Sequence, residues 1–191
     1  YGNDYSLFTR KLEAALKFYG APHHMEMRNA EIDKVAITHQ VPLLLTPERW
    51  LIADTTPLLM MLDARYPNRA LFPQGAMGVL THVLEEYVDE WVARVMVHFR
   101  WHYEESAFST ALKMAAGNEE AARKIADWGP RACRATGTES AHQRQKCEEE
   151  YLRMMAAAEK QLGQTRYLLG DRPTALDAIV LAGLVAHIDN D

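Results

Sequence analysis

The chain has 191 residues, a formal net charge of -5 and 48% hydrophobic residues, enough to bury a substantial core in one or two globular domains. The mild acidity gives no basic footprint of the kind nucleic-acid binding needs, so no nucleic-acid partner is expected. No apolar run approaches the ~20 residues needed to cross a bilayer, and no signal-peptide pattern is visible in a sequence that opens at Tyr1. No membrane partner is expected. Cys133 and Cys147 are the only cysteines and stand outside any His/Cys cluster with metal spacing, which reads as two reduced thiols in a cytoplasmic protein.

Tyr1-Gly-Asn-Asp4 is turn chemistry, read as the end of an element whose strand would precede Tyr1. From Ser6, Leu12, Ala15, Leu16 and Tyr19 recur at helical spacing, Arg10, Lys11, Glu13 and Lys17 take the other face, and Gly20 stands at the C-cap. His24 to Met27 reads as a short strand, and Asn29 to Ile37 as irregular or weakly helical. Leu43–Leu45 and Trp50–Ile52 form a hairpin through a type I turn at Thr46-Pro-Glu-Arg49. Asp54 then caps a helix carrying Leu58, Met61 and Leu62 on one face, stopped at Tyr66-Pro67.

Three loop formers between Pro67 and Gly75 mark a boundary, and afterwards every clear pattern is helical. The division is 1–67 as a first domain, 68–76 as linker and 77–191 as a helical domain. Leu80, Val83, Leu84, Tyr87, Trp91 and Val95 continue one stripe toward Tyr103 and predict the longest helix. Helices follow over 106–116 and 119–128, Gly129-Pro130 breaks the pattern, and another helix surrounds Cys147 to Leu162. Thr174-Ala-Leu-Asp177 is a capping box for a final, almost wholly apolar helix through Val185. Asp189-Asn-Asp191 follows it without sequence to cover it.

The segment Thr38-His-Gln-Val-Pro-Leu-Leu-Leu45 organises this order. Its proline cannot donate to a ladder, so it suits the mouth of a strand. A helix opening at Ser6-Leu-Phe-Thr-Arg-Lys11, then Gln40-Val-Pro-Leu-Leu44, then Asp54-Thr-Thr-Pro-Leu-Leu-Met-Met-Leu62, then the Thr174–Asp177 box together resemble the cytosolic glutathione transferase superfamily over nearly the whole chain. The resemblance implies an α+β two-domain fold: a thioredoxin-like N-terminal domain followed by an all-α helical domain. It further implies a cis Val41-Pro42 bond whose preceding backbone pairs with glutathione as co-substrate, Gln40 in contact with the ligand, and Asp54 and Thr55 holding its γ-glutamyl end. A homodimer and a small-molecule electrophile would be the partners.

Ser6 aligns with the activating residue of several classes of that family. A free thiol titrates near ~8.5, and a hydroxyl hydrogen bond beside a helix N-terminus would raise its thiolate share. Ser is also a preferred cap whatever the function, and Tyr1 and Tyr5 are alternative hydroxyls. Leu7 replaces a common proline, and Asp4 places a negative charge that would oppose the thiolate. Arg100, Trp101 and Tyr103 could line an electrophile pocket, though an aromatic-rich helix end is core more often than site. His98 and His102 lie one turn apart, but no carboxylate nearby in sequence completes a metal site, so no metal is expected. The reading is an enzyme that activates the glutathione thiol for attack on an electrophile; the alternative is a non-catalytic binding or scaffolding module of the same fold.

Overall fold

The computed structural model describes residues 1–188, and the tail at 189–191, read from sequence as uncovered, lies outside them. The pattern after Ser6 becomes α1 (Leu7–Tyr19). Ser6 accepts from the Thr9 N–H at one end, and Gly20, at φ 72°, donates to the Leu16 and Lys17 carbonyls at the other, in a left-handed geometry that glycine adopts at no steric cost. Leu12, Ala15, Leu16 and Tyr19 pack with Leu58, Leu59, Leu62 and Leu71, while Leu7 packs with Val88, Val92, Val95 and Met96. One helix thus serves two cores. Lys11 corrects the periodicity reading: it is wholly buried, not solvent-facing, because Glu85 and Asp89 of a distant helix receive its ammonium.

His24–Met27 is not a strand. Its one ladder-like bond runs from the Gly2 N–H to the Glu26 carbonyl (2.9 Å), and Met25 and Met27 are exposed, so the segment lacks an apolar face to bury. A short helix, α2 (Ala30–Val35), follows, capped by Asn29 and burying nothing. β1 (Leu43–Leu45) and β2 (Leu51–Ala53) are antiparallel with Leu43 against Ala53 and Leu45 against Leu51. The connecting turn is closed by the Arg49 N–H on the Thr46 carbonyl (2.9 Å), with Arg49 at φ 68°. α3 (Thr55–Arg65) ends at Tyr66, where a 3-10 turn (Pro67–Arg69) takes over. The Asp63 carboxylate then receives the Tyr19 hydroxyl (2.5 Å) and the Leu71 and Phe72 N–H groups (2.7 and 2.8 Å), which fixes the segment leaving α3.

The longest helix forms as α4 (Ala76–Glu86), a π-helical stretch (Tyr87–Val92) and α5 (Ala93–His102) in unbroken succession. α6 (Glu104–Met114) and α7 (Glu119–Ala126) come next. Gly129-Pro130, read as a break, instead opens α8 (Gly129–Ala135), because proline near a helix start gives up an N–H that has no partner there anyway. α9 (Ala141–Leu162) starts at a Ser140–Gln143 capping box. α10 (Ala175–Ile188) starts where the Asp177 carboxylate accepts from Thr174 N–H (2.8 Å), Thr174 Oγ (2.9 Å) and Leu168 N–H (2.9 Å). Its apolar surface packs along α1, and a side chain at Gly183 would stand 3.3 Å from Leu7. Leu7 is therefore a core residue where a proline was the sequence-based comparison. Among the described residues no helix is long and apolar enough to cross a membrane.

Candidate functional site

The β1–β2 register builds the site. The hairpin pairing ends with Leu43 opposite Ala53, and Pro42 and Asp54 are the residues that adjoin the two strands at that end. On the other edge of β1, Tyr1 and Leu43 exchange both main-chain bonds (2.7 and 2.9 Å). Val41 and Pro42 thus enter β1 at the end of the hairpin where β2 leads into Asp54 and α3, and the Leu43 that follows them is bonded to Tyr1, five residues before Ser6. The Val41–Pro42 peptide is cis; Pro42 is buried, Val41 half-buried and Gln40 exposed.

Arg28 holds the approach to this point, and no spacing in the sequence singled it out. Its Nη1 donates to the Gln40 carbonyl (3.0 Å), its Nε pairs with Asp33, and the Gln40 N–H donates to Thr38 Oγ1 (3.1 Å). The Gln40 main chain is thereby tied while its side chain stays in solvent.

The start of α3 differs in detail from the sequence reading. Asp54 occupies the N-cap position but makes no side-chain cap bond, and it stands exposed at φ 71°, ψ 123°. Such a conformation in a non-glycine residue costs on the order of 1–3 kcal/mol and is concentrated at ligand sites. Thr55 is buried (4% exposed), and the first N–H groups of α3 have no side-chain cap. Neighbouring Thr56 is turned inward, donating to Glu85 (3.0 Å).

Ser6 Oγ accepts the Thr9 N–H (3.2 Å), which uses a lone pair and leaves its O–H to donate. Capping and thiolate stabilisation are compatible in this hydroxyl. Asp4 is paired with Arg10 (3.0 Å), which also meets Glu13 (2.7 Å), so its charge is partly offset. Of the alternative hydroxyl residues, Tyr1 is engaged through its main chain and lines a cavity of about 530 Å³ with Leu44, Ile52 and Leu58. Tyr5 is half-buried, and its carbonyl accepts from Arg100 (2.7 Å).

The proposed electrophile trio is not brought together. Arg100 is buried and clamps main chain, its Nη1 on Tyr5 and its Nη2 on the Ala186 carbonyl (3.0 Å). Trp101 turns to α8, edge-on to Trp128 at 5.6 Å. Tyr103 is exposed and donates to Glu148 (2.8 Å). Consecutive helical positions point in different directions, and each here found its own neighbour. Glu148, on α9, also bonds His98 (2.7 Å), a carboxylate that sequence proximity could not supply. The His98 and Tyr103 hydrogen bonds hold the Glu148 carboxyl below the usual range, and Glu148 in turn raises the Tyr103 hydroxyl. Burial, followed by Arg144, lowers His102.

Cys133 and Cys147 are both buried and unpaired, with burial pushing the Cys147 thiol up, so neither is exposed for thiol exchange. Among the described residues, the group that could hold a metal is His82, Glu85 and Glu86 on α4, none of which the sequence reading had singled out.

Residues 115–190 match the family model described as glutathione S-transferase, C-terminal domain. A solved glutathione S-transferase from Rhodospirillum rubrum F11 shares the fold: the TM-score is 0.67 at 17% identity, covering 96% of this chain and 75% of that one. No curated protein matches the sequence.

Proposed function

We propose that this chain, a protein of the glutathione transferase superfamily with a thioredoxin-like first domain and a helical second, activates the thiol of glutathione for attack on a small electrophile. The observation that supports the reading is that β1 is entered through Val41–Pro42 at the same end of the hairpin at which β2 leads into Asp54 and the uncapped start of α3. Glutathione would lie along Val41 and Pro42 beside Gln40, with its γ-glutamyl carboxylate at the α3 end near Asp54 and Thr55. Ser6 would donate its free O–H to the sulfur. In the reaction the thiol proton passes to solvent, a sulfur–carbon bond forms, and the electrophile's leaving group departs with its electron pair, or an activated double bond takes up the pair and a proton.

The same proposal includes a domain boundary at 68–76, a homodimer and a cytoplasmic location. A second reading, a binding or scaffolding module without catalysis, is favoured by one feature: Arg100, Trp101 and Tyr103 are each engaged by a different neighbour. Calorimetric titration with glutathione separates binding from its absence. A conjugation assay on a generic aryl halide then distinguishes the two readings: turnover supports the enzyme, and binding without turnover supports the module.

A further inference from the structure

A cluster unrelated to the glutathione site lies on α4, where His82, Glu85 and Glu86 offer donor atoms all within 4.8 Å of one another. Their spacing of i, i+3 and i+4 places them on one face of the helix. Glu85 is wholly buried: Oε1 is taken by Lys11 and Thr56, while Oε2 has no partner among the described residues. A buried carboxylate oxygen left unmatched is costly, and the local charge is in surplus, since Glu85 and Asp89 share the ammonium of Lys11 while Glu86 adds its charge beside Asp89. The imidazole of His82 is steadied edge-on by Phe72 at 5.8 Å. The helix passes into its π-helical stretch immediately after Glu86, a departure frequent at functional sites.

We propose that His82, Glu85 through Oε2 and Glu86 bind one first-row divalent cation, zinc being the best match, with water completing the coordination. Imidazole with two carboxylates suits zinc and its neighbours, whereas magnesium and calcium prefer oxygen alone. Donors on one zinc ion at ~2.1 Å lie at most ~4.2 Å apart. The present spread closes by a small rotamer adjustment of His82 and Glu86, which are exposed and half-exposed. Binding neutralises the surplus negative charge and locks α4 to the Lys11 and Thr56 contacts that join the two halves of the chain.

The test is calorimetric titration of the chelator-treated full chain with zinc chloride, alongside His82→Ala and Glu86→Gln, whose positions at the surface leave the core intact. The account expects one zinc per chain and a rise in Tm on addition. Loss of a ligand should weaken binding at least by the ~10–100-fold typical of outer-shell partners. Magnesium should not compete. No binding at ~1 mM zinc, or affinity unchanged in both variants, overturns the site, the second outcome placing the metal on other histidines.

Discussion

Lys11 of α1 and Asp89 of the π-helical stretch meet at 2.5 Å, with the Lys11 side chain wholly out of water and that of Asp89 nearly so. Glu85 and Thr56 complete the contact, so a single ammonium joins α1, α3 and the long helix. Two carboxylates around one cation cannot lose it cheaply. Lys11→Met should destabilise the chain by about 3–5 kcal/mol, the range for breaking a buried pair, whereas replacing Lys11, Glu85 and Asp89 together by apolar residues should restore most of that loss. Urea unfolding measures both, and a single-variant cost below ~1 kcal/mol, the surface-pair range, contradicts the burial argument.

Arg100 provides the second prediction. Its guanidinium satisfies the Tyr5 carbonyl and also reaches the Ala186 carbonyl, and truncation removes both bonds. Arg100→Ala should lower stability by about 1–3 kcal/mol, the cost of a buried polar group that loses its partner. Unchanged thermal stability combined with a raised KM only for anionic electrophiles would instead return Arg100 to a substrate site.

Asp177 accepts three hydrogen bonds that secure both the start of α10 and the loop at Leu168. Asp177→Ala is expected to cost about 2–3 kcal/mol, because it strands two N–H groups as well as removing a cap. Asp177→Asn should keep part of this. Chemical denaturation of the pair of variants checks the ordering.

Glu150 links α9 to the long helix through Tyr87 (2.7 Å), Trp91 (2.7 Å) and Arg94 (2.8 Å). Burial raises its carboxyl pKa, but the three donors outweigh burial and hold it below the ordinary 4.5. A depressed carboxylate contributes stability that is present above its unfolded pKa and is lost as pH falls through the folded one. Glu150→Gln should therefore cost about 1–3 kcal/mol at neutral pH, and the gap to the parent should narrow below pH 4.5. A gap that stays constant on acidification would show that the charge of Glu150 is not what matters.

Punctuation and periodicity carried much of the fold. Ser6 and Gly20 bounded α1, Thr46–Arg49 marked the hairpin turn, and Thr174 with Asp177 marked the last helix, because caps and turns are local chemistry. Partners far away in sequence were invisible. Lys11 read as polar surface since nothing near it announced Glu85 or Asp89, and His98 seemed to lack a carboxylate that α9 supplies as Glu148. His24–Met27 read as a strand, but it makes a single backbone bond, to Gly2, and exposes Met25 and Met27. A site at Val41, Asp54 and Ser6 could be anticipated only through resemblance; the pairing of Leu43 with Ala53 sets Val41–Pro42 and Asp54 at one end of the hairpin.

The claim that Ser6 stabilises a bound thiolate is tested most directly by titrating the sulfur itself. Thiolate absorbance near 240 nm, followed against pH with glutathione bound to the parent and to Ser6→Ala, reports the thiol pKa in each. The account predicts a bound thiol titrating at least about one unit below its free value of ~8.5, returning toward that value in the variant. A bound thiol at its free value, or one equally depressed without the hydroxyl, would contradict it.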